Sequence, residues 1–192
     1  MAWRTVTPER LNFMSDDHIL GIVADDPLTE LVALAGRLGE RCTGLGLRLV
    51  TVESCTGGLV GHLITETPGS SAWYLGGFVT YADQLKLDLV SVPAEVLAAH
   101  GAVSAQVALA MATAGRLRTG ADVGAAVTGI AGPDGGTAQK PVGLTYVAVA
   151  DANGTQVRRH LWSGSRAENK RESAAALLGL ILEWIDVRAD RA

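Results

Sequence analysis

From Leu45 to Val52 the chain is apolar and strand-like, and the run stops at Glu53-Ser54-Cys55-Thr56-Gly57-Gly58. A helical pattern then begins with Leu59, Val60, Leu63 and Ile64. A strand that passes through two glycines into a helix belongs to folds in which the two elements alternate. The junction also has chemical consequences. It presents a hydroxyl or a thiol at a strand end, beside helix N-terminal N–H groups that lack partners within the helix. An anion is favoured at such a point, whether a phosphate or the oxyanion of an acyl-transfer intermediate.

The remaining periodicities extend the alternation. Leu31, Val32, Leu34, Ala35 and Leu38 predict a helix over Leu28–Cys42 with a glycine stop at Gly44 and Gly46. Strand and helix over 46–52 and 57–66 flank the opening motif, and Pro68-Gly69-Ser70-Ser71 makes a turn. A strand over 73–81 feeds a short helix over 82–91, and another short helix follows Pro93. Ser104 caps a helix reaching 118, with Val107, Ala108, Met111 and Ala112 facing inward. Strands follow over 123–128, 142–150 and 155–162, the last two joined by a hairpin at Asn153-Gly154. A final helix over 166–188 covers them. The pattern predicts an α/β fold, a three-layer α/β/α sandwich with a mixed five-stranded sheet. Residues 27–192 form the domain; residues 1–26 lack periodicity and read as a poorly ordered or loosely docked extension, in which Met14 is an alternative start.

Composition narrows the function classes. Of 192 residues 48% are apolar and 19% charged, which suits a packed globular protein. A net charge of −4 argues against nucleic acid as a partner bound by bulk electrostatics. No apolar run is long enough to span a bilayer; the richest, Ala174 to Ile185, is broken by Glu183, so no membrane partner is expected. The N-terminus lacks the apolar core of a signal peptide, and Cys42 and Cys55 offer no disulfide framework, so a cytoplasmic location is expected. His18, His62, His100 and His160 show no metal-ligand spacing, and no metal is expected.

Several residues could carry chemistry. Ser54 is a nucleophile candidate, although Ser54 or Thr56 could equally cap the following helix, and Cys55 is a rival nucleophile. At about 100° per residue, Ala82, Leu85, Leu89 and Val90 share one arc, and Lys86 falls in its middle. Leu87, on the polar side, is an imperfection. Lys86 either snorkels past the stripe or sits in a site. Burial disfavours the charged form of a lysine, and an uncharged amine beside Ser54 would activate the hydroxyl. Tyr81, just before this helix, could orient the lysine or a ligand, or fill the core. The loop Gly129-Ile130-Ala131-Gly132-Pro133-Asp134-Gly135-Gly136 is neither a Walker A sequence nor a dinucleotide fingerprint, since a strand follows it. Its glycines let backbone N–H groups approach a phosphate or carboxylate, and Thr128 could add a hydroxyl. Arg158, Arg159, Arg166, Lys170 and Arg171 form a basic segment, either a solvated face or a phosphate clamp.

The opening motif, Pro68-Gly69-Ser70-Ser71, Phe78-Val79-Thr80-Tyr81 with Lys86, and His100-Gly101-Ala102-Val103-Ser104 occur in order. Thr128 with the glycine loop and Lys140-Pro141-Val142-Gly143 complete the series. Together they resemble the CinA C-terminal domain family, whose stand-alone members include nicotinamide-nucleotide amidases. The resemblance runs from Leu28 to the final helix and leaves out residues 1–26; it does not reach the larger N-terminal domain of full-length CinA proteins. It implies hydrolysis of nicotinamide mononucleotide to nicotinate mononucleotide and ammonia without a cofactor, in pyridine-nucleotide recycling. In that scheme Ser54 is the nucleophile and Lys86 its base. Gly57 and Gly58 supply N–H donors to the oxyanion. Tyr81, Thr56, Thr128, Gly129, Gly132, Gly135 and Gly136 line the nucleotide pocket, and Arg166 holds the phosphate. The family commonly has Gly-Asp-Arg and a further arginine here; this chain has Gly164-Ser165-Arg166 and Lys170, and lysine lacks bidentate geometry. The alternative is a non-catalytic nucleotide-sensing or interaction domain, as the competence and damage association of the family suggests. The apolar final helix (Ala174, Leu177, Leu178, Leu180, Ile181, Trp184, Ile185) also suggests a homo-oligomer, a dimer above all, with burial under residues 1–26 as the other option.

Overall fold

The structure, a computed structural model, describes residues 27–189, so the expected extension and Met14 lie outside the described residues. The chain runs α1 (Thr29–Leu45), β1 (Leu49–Glu53), α2 (Leu59–Thr65), a short 3₁₀ turn (Ser70–Ala72) and β2 (Tyr74–Val79). Then come α3 (Asp83–Val90), α4 (Ala94–His100), α5 (Ala105–Thr119) and β3 (Val123–Gly129), and finally β4 (Leu144–Ala150), β5 (Thr155–Leu161) and α6 (Arg166–Ala189). The first helix runs through Gly44 and ends at Gly46, whose left-handed backbone lets its N–H return to Cys42 and Thr43 carbonyls. Ser104 caps α5 as expected, accepting from the Val107 N–H.

The sheet is five-stranded and mixed, in the order β2-β1-β3-β4-β5. Strand β1 pairs parallel with β2 and β3, while β3–β4 and β4–β5 are antiparallel. Strand side chains alternate between faces, and the two faces differ in size. Val123, Ala125, Val127, Val147 and Val149 pack toward the α1, α2 and α6 layer. Ala126, Ala148 and Ala150 pack toward α5, against Val107, Ala108, Met111 and Ala112. Small residues on both sides let α5 lie close to the sheet, burying the face that carries Val107, Ala108, Met111, Ala112 and Gly115.

Helix α6 is sandwiched rather than left with a spare face. Ala174, Leu177, Leu178, Leu180 and Ile181 are fully buried and Ile185 nearly so, within one cluster that also holds Ala35 and Leu38 of α1 and Leu63 and Ile64 of α2. Each large side chain so buried contributes roughly 1.5–3 kcal/mol. The apolar excess of α6 is therefore met within the chain, by α1 on one side and the sheet on the other.

Strand β1 is also where the chain reverses direction across the sheet. The connection through α2 leads to β2 on one side, and the connection through α3, α4 and α5 leads to β3 on the other. A crevice opens beyond the carboxyl ends of the strands at such a switch point.

Candidate active site

Ser54 is the first residue past β1, and its place is held by the ladder. Its N–H donates to the Val127 carbonyl (3.0 Å), while the Thr80 N–H donates to the Glu53 carbonyl (2.8 Å). The chain then turns through Gly57 (φ 65°) and Gly58 (φ 96°), left-handed conformations that favour glycine, into α2. Neither Ser54 nor Thr56 caps this helix. Glu53 does: its carboxylate accepts from the N–H groups of Gly58 (2.9 Å), Val60 (3.1 Å) and Gly61 (2.8 Å). A buried carboxylate against three amides at the positive end of a helix is a strong cap.

This corrects the expectation that Gly57 and Gly58 hold free amides for an oxyanion. The Gly58 N–H is taken by Glu53, and the Gly57 N–H donates to the Ser54 carbonyl. Glu53 belongs to the opening motif, and an acid just before a helix start is the sequence signal of this cap. Glu53→Gln should cost about 1–3 kcal/mol in urea unfolding, because an amide cannot accept from all three N–H groups. Unchanged stability would mean that these bonds do not organise the turn.

Lys86 is 1% exposed. It is buried, but not on the arc that the periodicity suggested. Leu85 and Leu89 are exposed, as is Ala82, while Lys86 and Val90 face the core. The tertiary environment, not the apolar stripe, turns α3. The ammonium donates to the Thr80 carbonyl (3.0 Å), the Tyr81 carbonyl (3.3 Å) and the exposed Asp83 carboxylate (3.2 Å). Three acceptors, one of them a carboxylate, match the three N–H bonds of an ammonium; an uncharged amine has only two. Ser54 Oγ is not among the three acceptors.

Tyr81 touches the lysine through its backbone. Its phenol oxygen instead accepts from Arg166 Nη2 (3.0 Å), while Arg166 Nη1 donates to the Gly132 carbonyl (2.8 Å). Arg166 thereby bridges the end of β2 and the glycine loop from the first turn of α6. The loop is fixed to α6 a second time by Asn169, which is buried, donates to the Ala131 carbonyl (3.0 Å) and accepts from the Gly164 N–H (3.0 Å). Asn169 carried no sequence signal, since one asparagine within a polar first turn is ordinary. Thr128 is fully buried and donates to the Ala102 carbonyl (2.8 Å), tying the end of β3 to the loop before α5. Gly129 leaves no room for a side chain: a Cβ would lie 2.6 Å from Thr145 Oγ1 and 3.1 Å from Cys55 Sγ.

These groups line one cavity of about 240 Å³. Ser54, Lys86, Tyr81, Thr128, Gly129, Gly132, Gly135 and Arg166 all border it, together with Cys55 and Asp83. Thr56, Gly57, Gly58 and Gly136 do not. Thr56 is fully buried with an unpartnered hydroxyl, and a Cβ on Gly136 would lie 2.7 Å from the Val142 nitrogen, so its lack of a side chain serves packing. Burial pushes the Cys55 thiol up to about 12, so it holds almost no thiolate near neutral pH. Of the basic segment, Arg158 is paired with Glu183 (2.6 Å) and is no part of the cavity. Lys170 stands nearby: a Cβ on Gly57 would lie 3.8 Å from its Nζ. Among the described residues no helix is long and apolar enough to cross a membrane.

A profile of the CinA C-terminal domain family matches residues 31–185. The chain is 46% identical over 164 residues to a CinA-like protein of Geobacter sulfurreducens, covering 85% of this chain and 38% of that protein. It is 40% identical over 191 residues to a CinA-like protein of Geotalea daltonii, covering 88% of this chain and 46% of that protein. The chain therefore spans less than half the length of these relatives. Among solved structures, it superposes on the competence/damage inducible protein CihA of Agrobacterium tumefaciens with a TM-score of 0.76 at 42% identity, covering 80% of this chain and 94% of that one. A CinA superfamily protein of Klebsiella pneumoniae gives 0.78 at 30% identity, over 81% and 97%.

Proposed function

The chain belongs to the CinA C-terminal domain family, and on that premise we propose that it is an amidohydrolase releasing ammonia from nicotinamide mononucleotide. The products are nicotinate mononucleotide and ammonia, and the reaction belongs to pyridine-nucleotide recycling in the cytoplasm. One observation carries the reading: Ser54 and the buried Lys86 open into one cavity at the strand ends, with the Arg166 guanidinium at its border.

In this reading Lys86 first releases one proton, and the exposed carboxylate of Asp83 is its route to solvent. The free amine then takes the Ser54 Oγ proton as the oxygen bonds to the carboxamide carbon, and the carbonyl electrons move onto oxygen. The Gly57 and Gly58 amides, committed to the Ser54 carbonyl and to Glu53, are not the donors that meet that oxyanion. The intermediate collapses, the C–N bond breaks, and the lysine proton leaves with ammonia. Water, deprotonated by the same amine, hydrolyses the ester and restores Ser54. Arg166 holds the nucleotide phosphate. It spends two N–H bonds on Gly132 and Tyr81 and keeps others free for an anion.

Arg166→Ala should therefore raise KM for nicotinamide mononucleotide about tenfold or more with a smaller change in kcat, the pattern of lost ground-state binding. A KM that stays put in steady-state assays would remove Arg166 from phosphate binding.

A second reading has one observation in its favour. Lys86 is fully engaged with three acceptors and makes no bond to Ser54, an arrangement that suits a nucleotide-sensing domain without turnover. Calorimetric binding of nicotinamide mononucleotide with no ammonia formed would select it; ammonia at catalytic turnover rejects it.

A further inference from the structure

The end of the sheet opposite Ser54 carries a groove that this chemistry does not use. It lies where β1 and β3 begin and β4 ends, roughly 20 Å from Ser54 along β3 at about 3.3 Å per residue. Its volume is about 570 Å³, within the range of small-molecule sites. Leu45, Leu47, Leu117, Trp184 and Ile185 give it an apolar lining. Leu45 and Leu117 are 42% and 66% exposed, which is a large apolar surface to leave in water.

The charges around it are unequal. Asp122 accepts from the backbone and Nε of Arg48. Asp151 accepts from Trp184 Nε1 (3.1 Å), from Arg188 Nε (2.9 Å) and from the N–H groups of Asn153 and Gly154. Both carboxylates are thus satisfied, and they neutralise Arg48 and Arg188. Among the described residues Arg116 has no such partner. Its Nε is buried without an acceptor, and among the described residues no carboxylate lies within ion-pair distance of its guanidinium. A buried donor and an uncompensated cation at the edge of an apolar groove call for an acceptor of negative charge.

We propose that this groove binds a small amphipathic monoanion, a carboxylate or sulfonate on an alkyl or aromatic body, with its head on Arg116 and its body along Leu45, Leu117 and Trp184. A single uncompensated cation suits a single negative charge and discriminates against a polyanion. The apolar lining requires a body able to shed water, which excludes an inorganic anion as the preferred occupant. The site is separate from the Ser54 cavity and does not rest on the reaction proposed there.

The test uses the full chain and the probe 8-anilinonaphthalene-1-sulfonate, followed by fluorescence and displaced by octanoate or by its neutral counterpart 1-octanol. Saturable binding at one site per chain is expected, with octanoate displacing the probe at least about tenfold better than octanol. Arg116→Met should weaken octanoate by about the same factor and abolish the preference over octanol. Leu117→Glu, at an exposed position that tolerates a polar side chain, should block the probe by placing a carboxylate beside Arg116. Neither variant should change ammonia release from nicotinamide mononucleotide. Absence of saturable binding, equal displacement by octanoate and octanol, or unchanged affinity in both variants would overturn the proposal. So would binding that is lost together with self-association in sedimentation velocity, since the groove would then be an interface between two copies.

Discussion

Ser54→Ala is expected to abolish ammonia release from nicotinamide mononucleotide while the protein stays folded. The loss should be at least about 10³-fold in kcat, because the covalent step has no other nucleophile. Cys55 is adjacent but cannot substitute: burial raises its thiol to about 12, so the reactive thiolate is scarce at neutral pH. Stability should change little, within about 0.5 kcal/mol, since the Ser54 backbone bond to Val127 survives and its hydroxyl is not one of the acceptors that hold Lys86. The measurements are an ammonia assay and a thermal melt on the same preparation. Wild-type turnover in the variant would remove Ser54 from the mechanism and leave the family relationship untouched.

Lys86→Met should lower kcat by about 10²–10⁴-fold, the usual worth of a positioned base. KM should move much less, because the phosphate contact assigned to Arg166 is unaffected. Unlike Ser54→Ala, this change should also be felt in the fold. Lys86 satisfies the Thr80 and Tyr81 carbonyls, and methionine can donate to neither, so about 1–3 kcal/mol of stability should be lost. From the helical arc alone methionine would have looked neutral there. The decisive readout is kcat in a variant still folded at the assay temperature. Near-normal kcat alongside the stability loss would make Lys86 a structural lysine that ties the end of β2 to α3.

The strands, the α5 cap at Ser104 and the glycine stop of α1 were legible because each depends on local chemistry: side-chain alternation, one hydroxyl, one left-handed residue. Lys86 stands out in the sequence as a cation among apolar residues, and it is buried, but the buried face of α3 differs from the apolar arc. An eight-residue helix has too few positions for its stripe to be unambiguous, and α5, packed against it, decided the rotation. The Gly57-Gly58 turn is legible in the sequence, yet its amides are taken, Gly57 by the Ser54 carbonyl and Gly58 by Glu53, a carboxylate whose three bonds exist only once the turn is closed. Asn169 was invisible for the same reason: its partners, Ala131 and Gly164, lie on other segments.

The order of residues alone determined the layer architecture and the position of the reactive junction, because periodicity and turn chemistry act within a few residues. It also carried the family resemblance, since ordered motifs survive without knowledge of contacts. The tertiary structure decided which charges meet. It gave Lys86 its three acceptors and placed Arg166 between Tyr81 and the glycine loop. Among the described residues it left Arg116 without a counter-charge beside an apolar groove. Electrostatic and hydrogen-bonding energies depend on distance and on exclusion of water, and both are set only when segments far apart in the chain pack together.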